Sequence, residues 1–327
     1  MSARLLTTLC LLALGAPLLA QPLAVCSVGR FQEWGGDRRV DPDLKQRLNA
    51  AGLQIGSLTY DEVTAAALKP FDVVVAQWVP HVADPPAMAV FRRAVPVLVS
   101  YVEQGGGLLI TFEHNGDTEE VTEELLAPFG CRLARESVVD PANTFQQKRY
   151  LQWWFAATRN VFHPHPVTEG IDHFIYPLGY SSTQGPHTRP VILDQPADWQ
   201  VLLRGERTAS TSGGTYKSEP PLLAVRSFGK GRVAVLPMHT TYFFNAGYHR
   251  VWEQITMGDG GPADLPHGQG LLLLKNLLRW LGEPATAAGF GGYEERAPAQ
   301  PPVTPEALAA LDPYTRIATY GRQPVTK

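Results

Sequence analysis

The sequence predicts an α/β protein built on a doubly wound, mainly parallel sheet. Three observations carry that expectation. Short apolar runs such as Val73-Val74-Val75-Ala76 and Leu108-Leu109-Ile110-Thr111-Phe112 show little polar alternation, as strands buried on both faces do. Helical stretches separate these runs, and strands alternating with helices imply parallel pairing with right-handed crossovers. The chain has 327 residues, 44% hydrophobic and 18% charged, an ordinary globular balance with ample core material. That balance excludes a mainly disordered or collagen-like chain.

The elements follow in order. Residues 1–20 carry Arg4, an apolar run from Leu5 to Leu14, helix breakers at Gly15 and Pro17, and small Ala20. This is the pattern of a secretory signal peptide cut after Ala20, and the apolar run is too short to span a bilayer comfortably. Residues 22–28 read as the first strand. Asp41-Pro42 supplies an N-cap and a first-turn proline, Leu44, Leu48 and Ala51 share a helical face, and Gly52 suits the helix end. A second strand is expected at 53–58, a short helix at 61–68, a third strand at 71–76 and a long helix at 85–104. Gly105-Gly106-Gly107 ends that helix, a fourth strand follows at 108–112, and a helix from Thr118 stops at Leu126, before Pro128. Residues 131–215 are less regular. Residues 221–225 and 231–236 flank a Gly-Lys-Gly turn and read as a β-hairpin near the C-terminal part. A closing helix is expected from Leu271 to Leu281, ending at Gly282. The expected organisation is therefore a signal peptide at 1–20, one α/β domain at 21–282, and a peripheral Pro/Ala/Gly-rich extension at 283–327.

Lys+Arg number 28 against Asp+Glu 31, a formal net charge of −3, so no basic footprint for nucleic acid is expected. Cys10 leaves with the signal. Cys26 and Cys131 sit in apolar contexts and read as free, buried thiols, with no neighbour at zinc-ligand spacing. No cofactor motif and no second membrane-length segment are present, so the expected partner is a small-molecule or carbohydrate ligand.

Three motifs occur in a fixed order: Phe71-Asp72-Val73-Val74-Val75 leading to Tyr101-Val102-Glu103-Gln104-Gly105-Gly106-Gly107-Leu108-Leu109, then His165-Pro166-Val167-Thr168-Glu169-Gly170-Ile171, then Phe228-Gly229-Lys230-Gly231-Arg232-Val233 with His239. Together they resemble class I glutamine amidotransferase-like domains, nearest to the ThuA-like branch, over residues 22–282. The resemblance implies a flavodoxin-like sheet. It also implies a cysteine nucleophile directly after the strand matching Leu108–Phe112, activated by a histidine that an acid orients. The corresponding segment here is Phe112-Glu113-His114-Asn115-Gly116, without Cys or Ser. Cys131 lies beyond the next helix. His239 matches the family histidine, but Thr241 stands where the acid belongs. Two of three triad elements are missing, which argues against glutamine hydrolysis.

The candidate catalytic residues are Glu113, His114 and His239, a carboxylate and imidazoles at the edge where open α/β sheets bind ligands. Asn115, Tyr242 and Asn245 are the candidate ligand contacts. Asp117, Glu119 and Glu120 read as acids favoured by a helix N-terminus. His163, His165 and His173 read as structural rather than metal-binding, so no metal site is assigned, and Trp153-Trp154-Phe155 reads as buried core or interface aromatics rather than a sugar-stacking platform. Two functions fit. One is an exported amidotransferase-like protein with a degenerate triad that binds a carbohydrate or protein. The other is a ThuA-like hydrolase or sugar-modifying enzyme using Glu113, His114 and His239.

Overall fold

The computed structural model describes residues 22–29, 49–77, 79–80, 82–112, 119–146, 154–179, 188–239 and 269–294. The expected signal peptide, the helix expected around Leu44 and the chain beyond residue 294 lie outside them. The strands in chain order are β1 (Leu23–Gly29), β2 (Leu53–Thr59), β3 (Val73–Ala76), β4 (Gly107–Phe112), β5 (Cys131–Leu133), β6 (Val138–Val139), β7 (Thr144–Gln146), β8 (Trp154–Thr158), β9 (Phe174–Gly179), β10 (Val191–Leu193), β11 (Gln200–Arg204), β12 (Ser210–Thr211), β13 (Pro221–Phe228) and β14 (Gly231–His239). The helices are α1 (Ala65–Leu68), α2 (Pro85–Glu103), α3 (Glu119–Leu126) and α4 (Gly270–Ala287).

A seven-stranded sheet in the order β11-β13-β14-β4-β3-β1-β2 forms the centre. From β2 to β14 every pair is parallel, whereas β13 runs antiparallel to both β14 and β11. The three expected strands at 22–28, 71–76 and 108–112 thus share one sheet. The chain leaves β1 outward to β2, then returns to the other side of β1 as β3, so the direction of winding switches between β1 and β3.

Period-two alternation divides the buried residues into two cores. Val25, Val73, Val75, Leu109, Ala234 and Leu236 face one side, packed with Leu273, Leu277 and Leu281 of α4 and Phe155 and Phe174 of the small sheet β7-β8-β9. Cys26, Val74, Leu108, Ile110, Val233 and Val235 face the other, against Phe91 and Leu98 of α2 and Leu125 of α3. Full burial of one such Leu or Phe contributes about 1.5–3 kcal/mol. This two-sided demand is why the strands read as continuous apolar runs.

Local chemistry sets the element ends. The Asp84 carboxylate accepts from the Ala87 N–H at 3.1 Å, and Pro85 follows in the first turn of α2. At Gly107 an added Cβ would lie 2.5 Å from the Leu281 carbonyl oxygen, and at Gly231 it would lie 2.2 Å from the Gly106 carbonyl oxygen. The glycines therefore allow α4, β4 and β14 to approach backbone to backbone.

Three elements differ from expectation. The helix expected over 61–68 is a 3-10 turn at Tyr60–Glu62 followed by α1, because the Thr64 hydroxyl caps α1 by accepting from the Ala67 N–H at 3.1 Å. The strand expected from residue 71 begins at Val73, since the Asp72 carboxylate accepts from the Ala24 N–H at 2.8 Å. The closing helix passes Gly282 and runs to Ala287 with Pro284 inside it. Beyond it, Phe290 meets the Tyr101 ring edge-on at 4.9 Å and Tyr293 stacks on Phe71 at 4.6 Å. Among the described residues no helix is long and apolar enough to cross a membrane.

Candidate functional site

All five parallel strands run the same way, so their C-terminal ends open on one edge of the sheet. Ligands of open α/β sheets bind outside that edge, at the point where the winding switches. Phe112, the last residue of β4, is in register with His239, the last residue of β14. The ladder slips between Leu236 and His239, where Pro237 has no N–H to donate. Glu113 therefore follows a residue paired with His239. Of the sequence-predicted site residues, His239 is described by its backbone at this edge. Glu113, His114, Asn115, Tyr242 and Asn245 lie outside the described residues.

At the switch between β1 and β3 the structure assembles polar groups that sequence reasoning passed over. The Gln77 N–H donates to the Val28 carbonyl at 2.8 Å and extends the ladder. Its side-chain amide donates to the Ser27 hydroxyl. The Tyr60 hydroxyl donates to the Gln77 carbonyl at 3.1 Å, and the Thr111 hydroxyl donates to the Ala76 carbonyl at 3.3 Å. Gln77 is 8% exposed, and its buried side-chain oxygen has no hydrogen-bond partner among the described residues. An unpaired buried amide oxygen costs about 1–3 kcal/mol, so this position favours a polar guest. The available signal was that Gln77 directly follows the apolar run of β3, and that Ser27 is the hydroxyl inside β1.

Neither Cys26 nor Cys131 is placed to serve as a nucleophile. Cys26 and Cys131 are free and buried. Burial, with the Glu62 charge as a lesser cause, raises the Cys26 thiol far above its ordinary range. Burial first and Asp194 second push Cys131 up to about 12. Both therefore stay protonated, and the thiolate is the reactive form.

The three histidines are held in structural roles. His163 Nε2 lies 2.9 Å from the Ile171 carbonyl oxygen. His165 caps a 3-10 turn, its Nδ1 accepting from the Val167 N–H at 3.1 Å. His173 is buried, and its Nδ1 meets the Asp172 carboxylate at 2.5 Å. Among the described residues no group of three His, Cys, Asp or Glu side chains could hold a metal ion. Phe155 is fully buried and Trp154 packs against the same core, so neither offers a stacking platform.

No protein-family model matches the chain, and no curated protein does. Solved structures do. A cytoplasmic protein, STM1381, from Salmonella typhimurium LT2 is 16% identical with a TM-score of 0.47, over 79% of this chain and 99% of that one. A second Salmonella typhimurium cytoplasmic protein, STM3548, is 14% identical with a TM-score of 0.45, over 79% and 99%. A protein described as ThuA-like from Bacteroides uniformis is 14% identical with a TM-score of 0.39, over 82% and 94%. At such values the chemistry rests on this chain's own residues.

Proposed function

We propose that the chain is an exported, flavodoxin-like protein of the class I glutamine amidotransferase-like type. Its triad is degenerate, and it binds a carbohydrate or protein ligand without hydrolysing glutamine. The ligand would sit at the C-terminal edge, with Glu113, His114 and His239 orienting it and Asn115, Tyr242 and Asn245 in contact. The observation that carries the reading is the chemistry of the edge. Strands β4 and β14 end side by side at Phe112 and His239, the next residue is Glu113 rather than a cysteine, and both available thiols are buried elsewhere. The orphaned Gln77 amide oxygen nearby supports a polar ligand.

Two measurements test this. Ammonia release from glutamine should match the protein-free blank, and should be the same in Cys131→Ser. A thiol-dependent rate lost in that variant would overturn the proposal. A thermal-shift screen with saccharides and amino acids should find a ligand whose effect is lost in His239→Ala. Turnover of a sugar that depends on Glu113 would instead favour the hydrolase reading. Export rests on residues 1–20, and N-terminal sequencing of the exported protein should begin near Gln21.

A further inference from the structure

A second polar recess lies on the same edge, at the other end of the sheet. Both β11 and β14 are antiparallel to β13, so they run the same way and end on the same edge. The two strands are two places apart, about 10 Å. Beyond the end of β11 the chain forms a groove of about 520 Å³ lined by Asn143, Arg159, Asn160, Glu206, Arg207, Thr208 and Glu219.

Its walls are fixed from behind. Asp140 is fully buried. Its carboxylate accepts from Asn143 Nδ2 at 3.1 and 3.2 Å and from the Thr208 hydroxyl at 2.8 Å. A buried carboxylate adds little to stability that an apolar side chain would not. Here it locks two side chains of the groove in place. Glu206 is held in turn, accepting from the Arg159 N–H at 2.5 Å and the Thr158 hydroxyl at 3.3 Å. Glu219 accepts from Asn160 Nδ2 at 3.3 Å and lies 4.0 Å from the Arg207 guanidinium, which is 93% exposed. Side chains positioned by a supporting layer in this way are what a preorganised binding site requires.

Two further features mark the place. Glu219 has a φ of +50° and is, among the described residues, the one non-glycine in the left-handed region. Such strain is held at sites where the side chain is needed. The Tyr176 hydroxyl is buried and has no hydrogen-bond partner among the described residues. Burial, then the Asp140 and Glu206 charges, raise its ionisation well above the usual tyrosine range.

We propose that this groove binds a neutral saccharide. Two carboxylates and two guanidiniums line the groove, so the lining charges balance and a charged ligand gains nothing net. Glu206 and Glu219 offer acceptors, and Arg159 and Arg207 offer donors. A sugar hydroxyl both donates and accepts, so it can pair with either kind. The groove is a separate site from the one beside the ends of β4 and β14, and it stands or falls separately.

The test is isothermal titration of the whole protein with glucose, galactose, mannose, maltose and cellobiose, with glycine and glutamate as zwitterionic and charged controls. Saturable binding of at least one sugar is expected, weakened tenfold or more by Glu219→Gln and by Arg207→Ala, and unchanged by His239→Ala. Glu219→Gly removes the carboxylate and relieves the left-handed strain, so it should weaken binding while holding or raising the melting temperature. No saturable heat for any sugar up to about 20 mM, binding unaffected by the groove variants, or binding of the amino acids alone would overturn the proposal. A sugar lost only in His239→Ala belongs to the other site, and if every sugar that binds behaves so the groove proposal is overturned.

Discussion

His165 shows how a single residue can be read from its partners. Its Nδ1 accepts the Val167 N–H, so that nitrogen must stay unprotonated. Burial first, and the nearby Arg232 charge second, hold the imidazole below its ordinary value of 6.5. A histidine kept neutral by folding contributes stability that is complete above the unfolded value and is lost as pH falls through 6.5 towards the folded value. Asn can cap the same turn without titrating. Wild type should therefore lose more melting temperature than His165→Asn between about pH 7.5 and 5. Parallel curves would contradict the assigned role. Asp72 gives a second residue-scale outcome. It is buried, burial raises its carboxyl above the usual range, and it accepts from the Ala24 N–H. Asp72→Ala strands that buried donor and should cost about 1–3 kcal/mol in urea unfolding. His165 precedes Pro166, which biases it to the extended backbone that it shows as the cap of its 3-10 turn. Ser27 and Gln77 were not legible in the sequence, because their importance depends on β3 returning beside β1, a pairing that spans 50 residues.

Among the elements, the longest apolar runs were the most legible. Strands β1, β3 and β4 are short, buried on both faces and bounded by turn residues, so local sequence carries most of the signal. The layer β7-β8-β9 was not legible. Its strands are three to six residues long and are antiparallel. Such short strands take their stability from long-range neighbours rather than from local propensity. The end of α4 was misjudged for a related reason. Gly282 reads as a terminator, yet an added Cβ there would lie 2.4 Å from a Leu23 methyl. The glycine is present for close packing on β1 and not to end the helix. The segment that follows clips Phe290 and Tyr293 onto Tyr101 and Phe71. A chain ended after Gly282 should therefore be less stable than one ended after Glu294, by at least about 2 kcal/mol from lost apolar burial and ring contacts. Equal denaturation midpoints would mean that the clip carries no weight.

At the scale of the whole molecule, one sheet with a core on each face presents a single edge for chemistry. The fold class followed from composition and alternation alone. The candidate site followed only as far as its backbone: β4 and β14, far apart in sequence, end together at Phe112 and His239, and Glu113 lies outside the described residues. The proposed function requires this edge to bind a ligand through Glu113 and His239 without thiol chemistry. The deciding measurement is a binding titration of wild type, Glu113→Gln and His239→Ala with the strongest saccharide or amino acid from the thermal-shift screen, alongside their melting temperatures. Both variants should bind at least about tenfold more weakly, as loss of a hydrogen bond to a charged group implies, with melting temperatures within about 2 °C of wild type. Undiminished binding in both variants, or a large fall in melting temperature in either, would contradict the proposed function.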